Sequence, residues 1–161
     1  MLLFSDTSAF AHDLTTDRRQ SVSAIDAYSA RGGTALYDGL TDALMRLKRT
    51  EGRKVVVLLS DGHDENNPGT GPGSARTQDD VFAALRETNT MIYPIGLGPR
   101  ADRELLERLA AESGGVAFFP EDVSSLRGDY GRVVEDLRRR YVVEHFRGIR
   151  LAEHSFFARR D

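Results

Sequence analysis

Val55-Val56-Val57-Leu58-Leu59-Ser60-Asp61-Gly62-His63-Asp64 is the stretch on which the fold of this chain turns. Its five consecutive apolar residues have high β propensity, are entered from Arg53-Lys54 and are halted by Ser60-Asp61-Gly62, which predicts a strand buried on both faces. In an open parallel sheet the ligand crevice lies beyond the carboxyl ends of the strands. Ser60 and Asp61 are therefore expected where a ligand or a metal would be held.

Working outward from this strand, Leu36, Leu40, Leu44 and Leu47 recur every three or four residues and predict a helix running through Lys48, with Gly52 beyond its end. Arg31-Gly32-Gly33-Thr34 separates that helix from an earlier one expected over residues 18–29, started by Thr16-Asp17 and carrying Val22, Ile25 and Tyr28 on one face. Met1 to Phe4 and Ala9 to Leu14, divided by Ser5-Asp6-Thr7-Ser8, suggest a hairpin. On the other side, residues 62–76 hold Gly62, Gly69, Gly71, Gly73, Pro68 and Pro72 among Asp, Asn and Thr. This is loop composition with little apolar material to bury, so poor order and early proteolytic nicking are expected there. Thr77 then caps a helix over Gln78 to Glu87, and Thr90 to Leu97 is an apolar strand. Asp102 to Ser113 reads as a helix stopped by Gly114-Gly115, and Val116 to Phe119 as a strand. A last helix is expected over Asp129 to Arg140, followed by an extended Tyr141 to Phe146. Strands alternating with helices predict an α/β fold, a Rossmann-like and mostly parallel sheet with helices on both faces. The domain is expected over residues 1–146, with 147–161 a tail of undefined structure.

The 161 residues suit one domain that buries roughly 70% of its unfolded surface. No apolar run approaches the ~20 residues a membrane-spanning helix needs, so no span is expected. A formal net charge of -3 gives no general attraction to phosphate backbones. Nucleic acid is not expected as a partner, and Arg138-Arg139-Arg140 reads as a solvated helix end. Cysteine is absent, which excludes disulfides and thiol chemistry. Met1 to Asp6 has neither a basic n-region nor an h-region, so no signal peptide is expected. The chain reads as cytoplasmic as it stands, and as secreted or periplasmic if a segment precedes Met1.

Thr34, after Gly32-Gly33, and Asp61, after the central strand, are two polar positions at element edges that can meet. A hard cation such as Mg²⁺ takes six oxygens and keeps several waters, so one hydroxyl and one carboxylate are usable but few. Gly33-Thr34-Ala35-Leu36-Tyr37-Asp38, then Val55 to Leu59 with Ser60-Asp61-Gly62, then Tyr93-Pro94-Ile95-Gly96-Leu97-Gly98 together resemble the von Willebrand factor type A domain, in its bacterial branch. The resemblance runs from about Met1 to about Phe146. It implies a Rossmann-like sheet with a metal-ion-dependent adhesion site on top, to which Thr34 and Asp61 contribute as metal ligands. The family's first motif, Asp-x-Ser-x-Ser, has no counterpart: Asp6-Thr7-Ser8-Ala9-Phe10 carries Phe10 where a serine is required. The chain thus reads as an N-terminally truncated member without the first strand and helix, and any Mg²⁺ or other divalent cation is expected to bind weakly.

The function implied is protein binding, in which a partner's carboxylate completes the shell of the metal, and not catalysis. The alternatives are a phosphatase-like hydrolase using Asp61 as nucleophile, or a truncated product without independent function. No Gly-x-Ser-x-Gly elbow, phosphate-binding Gly-x-x-x-x-Gly-Lys loop or cysteine nucleophile supports an enzyme. Thr34 also reads as the N-cap of the following helix, and Asp61-Gly62 as a turn. The resemblance places the absent strand between those matching Met1 to Phe4 and Val55 to Leu59. Three outcomes follow: the two strands close together, the chain stays partly unfolded, or another copy or partner completes the sheet, giving an oligomer by strand completion.

Overall fold

In the computed structural model, which describes residues 1–29, 31–122 and 124–139, the chain begins with a hairpin of β1 (Leu2–Phe4) and β2 (Ser8–Phe10). It continues through α1 (Arg18–Ala27), α2 (Leu36–Lys48), β3 (Lys54–Ser60), α3 (Gln78–Thr88), β4 (Thr90–Gly96) and α4 (Arg103–Ser113). These elements belong to one unit, Met1–Phe119, and Pro120–Asp161 forms a second. Within the second unit, residues 124–139 are helical and are labelled α5. Arg140, the extended piece anticipated over Tyr141 to Phe146 and the tail over residues 147–161 lie outside the described residues.

The leucine repeat forms α2 as expected and buries Leu36, Leu40 and Leu44. They meet Val81, Phe82 and Leu85 of α3, Leu58 of β3, Ile92 of β4 and Leu105, Leu106 and Leu109 of α4 in one apolar core. The βα alternation after residue 50 produces parallel pairing of β3 with β4, in register from Lys54 opposite Thr90 to Ser60 opposite Gly96. Thr77 starts α3 with a reciprocal capping box to Asp80, and the Asp102 side chain caps α4 through the Leu105 N–H.

Several expectations are corrected. The strand expected over Val116 to Phe119 is reduced to a single parallel bridge between Phe118 and Ile95. Phe118 donates its N–H to the Pro94 carbonyl (2.8 Å) and accepts from the Gly96 N–H (2.8 Å). The next donor along that ladder would be residue 120, a proline with no N–H, so pairing stops. The helix expected from Asp129 begins at residue 124, because the Asp122 carboxylate accepts the Ser125 N–H (2.8 Å) and the Ser124 hydroxyl (2.7 Å). The helix α1 forms but buries none of its residues, leaving Val22 55% and Ile25 59% exposed.

The central strand itself is covered on one face only. Leu58 and Ser60 are buried, whereas Val57 and Leu59 are each 37% exposed. The hairpin β1–β2 and the pair β3–β4 are separate two-stranded sheets, so β1 and β3 have not closed against each other.

Candidate functional site

The site grows from the amino end of α2 and the carboxyl end of β3. The first amides of a helix have no intrahelical acceptor and need caps. The N-cap of α2 is Ala35, whose side chain caps nothing, so the expected capping role of the Thr34 hydroxyl is not realised. The caps come instead from the glycine-rich loop. The Tyr37 N–H donates to Asp64 Oδ2 (3.1 Å) and the Asp38 N–H to Ser74 Oγ (3.0 Å). Asp64 Oδ1 accepts the N–H groups of Gly73 (2.8 Å) and Ser74 (2.9 Å), and Asp64 Oδ2 also accepts the Ser74 hydroxyl. In return, Asp38 on the first turn of α2 accepts the Ala75 and Arg76 N–H groups, each at 3.0 Å. Asn66 folds the tip by accepting the N–H groups of Thr70 (2.9 Å) and Gly71 (3.1 Å).

The loop expected to be poorly ordered is therefore held by side-chain oxygens on main-chain amides. One glycine of this loop and one before α2 permit close backbone approach. A Cβ on Gly33 would overlap the Glu65 carbonyl oxygen, and one on Gly73 would overlap the carbonyl oxygens of Thr34 and Glu65.

Three consecutive amides around Thr34 are held by two segments, the β1–β2 turn and the loop after β3. The Gly33 N–H donates to Asp6 Oδ1 (2.5 Å), the Thr34 N–H to the Glu65 carbonyl (2.6 Å) and the Ala35 N–H to the Ser5 carbonyl (2.6 Å). The Glu65 N–H returns to the Thr34 carbonyl (3.2 Å), completing an antiparallel bridge. The Thr34 backbone is fixed, and its hydroxyl takes no intramolecular partner among the described residues. Asp61 is exposed at the end of β3. The turn reading is realised here as well: Asp61 Oδ1 accepts the His63 N–H (3.1 Å), and Ser60 Oγ accepts the Gly62 N–H (3.1 Å). The Asp61 carbonyl accepts the Asp102 N–H (2.7 Å), tying this end of β3 to the start of α4. His63 Nε2 lies 2.8 Å from the Arg100 carbonyl oxygen, a contact to which the imidazole contributes an N–H.

Thr34 and Asp61 thus sit on neighbouring loops joined through Glu65, with no hydrogen bond between their side chains. Among the described residues no group of three His, Cys, Asp or Glu side chains is arranged to hold a metal. The carboxylates of Asp64 and Asp102 act on Tyr37. Burial first, and then the charges of Asp64 and Asp102, raise the Tyr37 phenol above its ordinary value. Sequence reasoning missed Asp64 and Ser74 as organisers of the rim, and Asp6 as the acceptor beside Gly33. Their partners lie 27, 36 and 27 residues away along the chain, and no local pattern encodes such pairs.

The model of the von Willebrand factor type A domain matches residues 1–130, and the chain belongs to that family. The family's domains typically mediate protein interactions. The chain is similar to calcium-activated chloride channel regulator 1 of Macaca mulatta, 32% identical over 97 residues, which cover 58% of this chain and 9% of that protein. Among solved structures it is similar to the conserved hypothetical protein BatB of Bacteroides thetaiotaomicron (TM-score 0.66, 12% identity, 86% of this chain and 78% of that one). It is also similar to a von Willebrand factor type A protein of Catenulispora acidiphila (TM-score 0.63, 19% identity, 80% of this chain and 31% of that one). At these identities the structures show the α/β fold alone. No helix among the described residues is long and apolar enough to cross a membrane.

Proposed function

We propose that the chain is a protein-binding domain, and not an enzyme, whose docking rim is formed by Thr34 and Asp61. A divalent cation such as Mg²⁺, held there by the Thr34 hydroxyl and the Asp61 carboxylate, accepts a carboxylate from the partner. The observation that carries this reading is the fixation of Thr34 through three consecutive amides while its hydroxyl has no intramolecular partner among the described residues, paired through its backbone with Glu65 on the loop that begins at the exposed Asp61. A rigid backbone that presents an uncommitted oxygen is the arrangement a binding site requires. The donor set suits a hydrated cation only. With one formal negative charge among the two ligands, affinity for Mg²⁺ is no better than on the order of 10⁻³ M.

Calorimetric titration with Mg²⁺ tests this. The expected result is millimolar or weaker binding that Asp61→Ala abolishes. Micromolar binding, or binding unchanged in Asp61→Ala, would contradict it. A phosphate-release assay separates the enzymatic reading: no turnover is expected, and turnover that vanishes in Asp61→Asn would establish a hydrolase instead.

A further inference from the structure

The loop after β4 is tied to the Asp61 end of β3 at three points. The Leu97 N–H donates to the Ser60 carbonyl (3.0 Å), the Asp102 N–H donates to the Asp61 carbonyl (2.7 Å), and His63 Nε2 lies 2.8 Å from the Arg100 carbonyl oxygen. His63 also donates its main-chain N–H to Asp61 Oδ1 (3.1 Å), so one residue spans the gap between the Asp61 carboxylate and the Arg100 main chain. Pro99 and Arg100 are the central residues of a turn closed by the Ala101 N–H on the Gly98 carbonyl (3.4 Å). Proline suits the first central position because its ring fixes φ. Arg100 is thus presented on a braced turn beside the docking rim. Its side chain is exposed and makes no hydrogen bond or ion pair among the described residues. Two neighbouring cations are committed elsewhere. The Arg103 guanidinium, at the start of α4, lies over the Phe119 ring, 4.1 Å from its centre, and Arg76 is bound by Asp38 and Asp42.

We propose that Arg100 determines the specificity of the rim by selecting a partner segment with two acidic side chains, one for the cation at Thr34 and Asp61 and one for its own guanidinium. This rests on the cation-dependent docking proposed above. A guanidinium takes a carboxylate through two parallel N–H···O bonds, so it selects the group's shape as well as its charge. In an extended segment, residues two apart project from the same face, and two acids at that spacing address one rim together. Exposed ion pairs are individually weak, so the second contact strengthens binding by about two- to fivefold.

The test is a titration of the isotope-labelled full chain, in excess Mg²⁺, with two capped peptides. One has a single glutamate among glycines, and the other has two glutamates separated by one glycine. The two-acid peptide is expected to bind about four- to tenfold more tightly, of which about twofold is the statistical share of two equivalent acids. Arg100→Gln, which keeps the main-chain carbonyl that faces His63, is expected to reduce the difference to about that twofold share. Arg49→Gln removes the same charge at the C-cap of α2 and is expected to keep the full difference. A one-acid peptide that does not bind, or binds equally to Asp61→Ala, would overturn the cation-dependent rim and this proposal with it. One-acid binding that needs Asp61, without more than the statistical gain from the second acid, would overturn this proposal alone. So would a larger gain that survives Arg100→Gln or is lost equally in Arg49→Gln.

Discussion

Asp64 accepts hydrogen bonds from the Tyr37, Gly73 and Ser74 amides and from the Ser74 hydroxyl, so a single carboxylate caps one helix and closes one loop. Removing it leaves several half-buried donors without acceptors, at a cost of about 1 to 3 kcal/mol. Asp64→Ala is accordingly expected to lower the unfolding free energy measured in urea by that margin, and an unchanged free energy would show that water replaces the carboxylate without loss. The Tyr37 phenol provides a pH signature at the same place. Its pKa is raised above 10.0 in the fold, by burial first and by Asp64 and Asp102 next. A raised folded pKa contributes stability that is complete below the unfolded value and lost as pH rises through the folded one. Thermal stability should therefore fall above pH 10.0, and Tyr37→Phe should flatten that fall. An alkaline limb identical in the variant would place the titration elsewhere. At this scale the sequence is legible only where chemistry is local. Asp61 is readable because a strand runs into Ser-Asp-Gly. Asp64 is not, because its partners come from α2 and from the far end of the loop.

The same contrast between local and distant signals separates the elements. The helices α2, α3 and α4 and the strands β3 and β4 follow from apolar periodicity and caps, since those patterns are contiguous in sequence. Residues 62–76 have no such pattern and look disordered, yet Asp64, Asn66 and Asp38 supply oxygens to six of their amides. Order of this kind is polar and irregular, and hydrophobic patterning does not register it. The close approach of Gly73 to the Thr34 and Glu65 carbonyls gives a direct test. Gly73→Ala must push these backbones apart, and overpacking of this sort costs about 1 to 3 kcal/mol. Limited proteolysis should then cut the variant within residues 65–73 while sparing that segment in the unmodified chain. Early cutting of the unmodified loop would contradict the staple. The expectation for β3 fails for another reason: five contiguous apolar residues predict cover on both faces, but the core of α2, α3 and α4 covers the face of Leu58 while Val57 and Leu59 stay part-exposed.

For the molecule as a whole, α/β alternation and the ordered motifs at Thr34, Asp61 and Tyr93 to Gly98 were sufficient to place the chain in its family. The division of the sheet into two separate pairs is not among the outcomes expected from the sequence, because strand pairing depends on every strand present and not on any one segment. The central claim is that the loops after β3 and before α2 form one rim, on which Thr34 and Asp61 act together as a weak cation-dependent docking point. A paramagnetic titration reads this most directly, because selective broadening remains visible at millimolar affinity. Amide resonances of the isotope-labelled full chain, followed as Mn²⁺ is added, should broaden first at Gly33, Thr34, Gly62 and His63, and this selectivity should vanish in Asp61→Ala. Broadening centred elsewhere, or unchanged in Asp61→Ala, would contradict the claim.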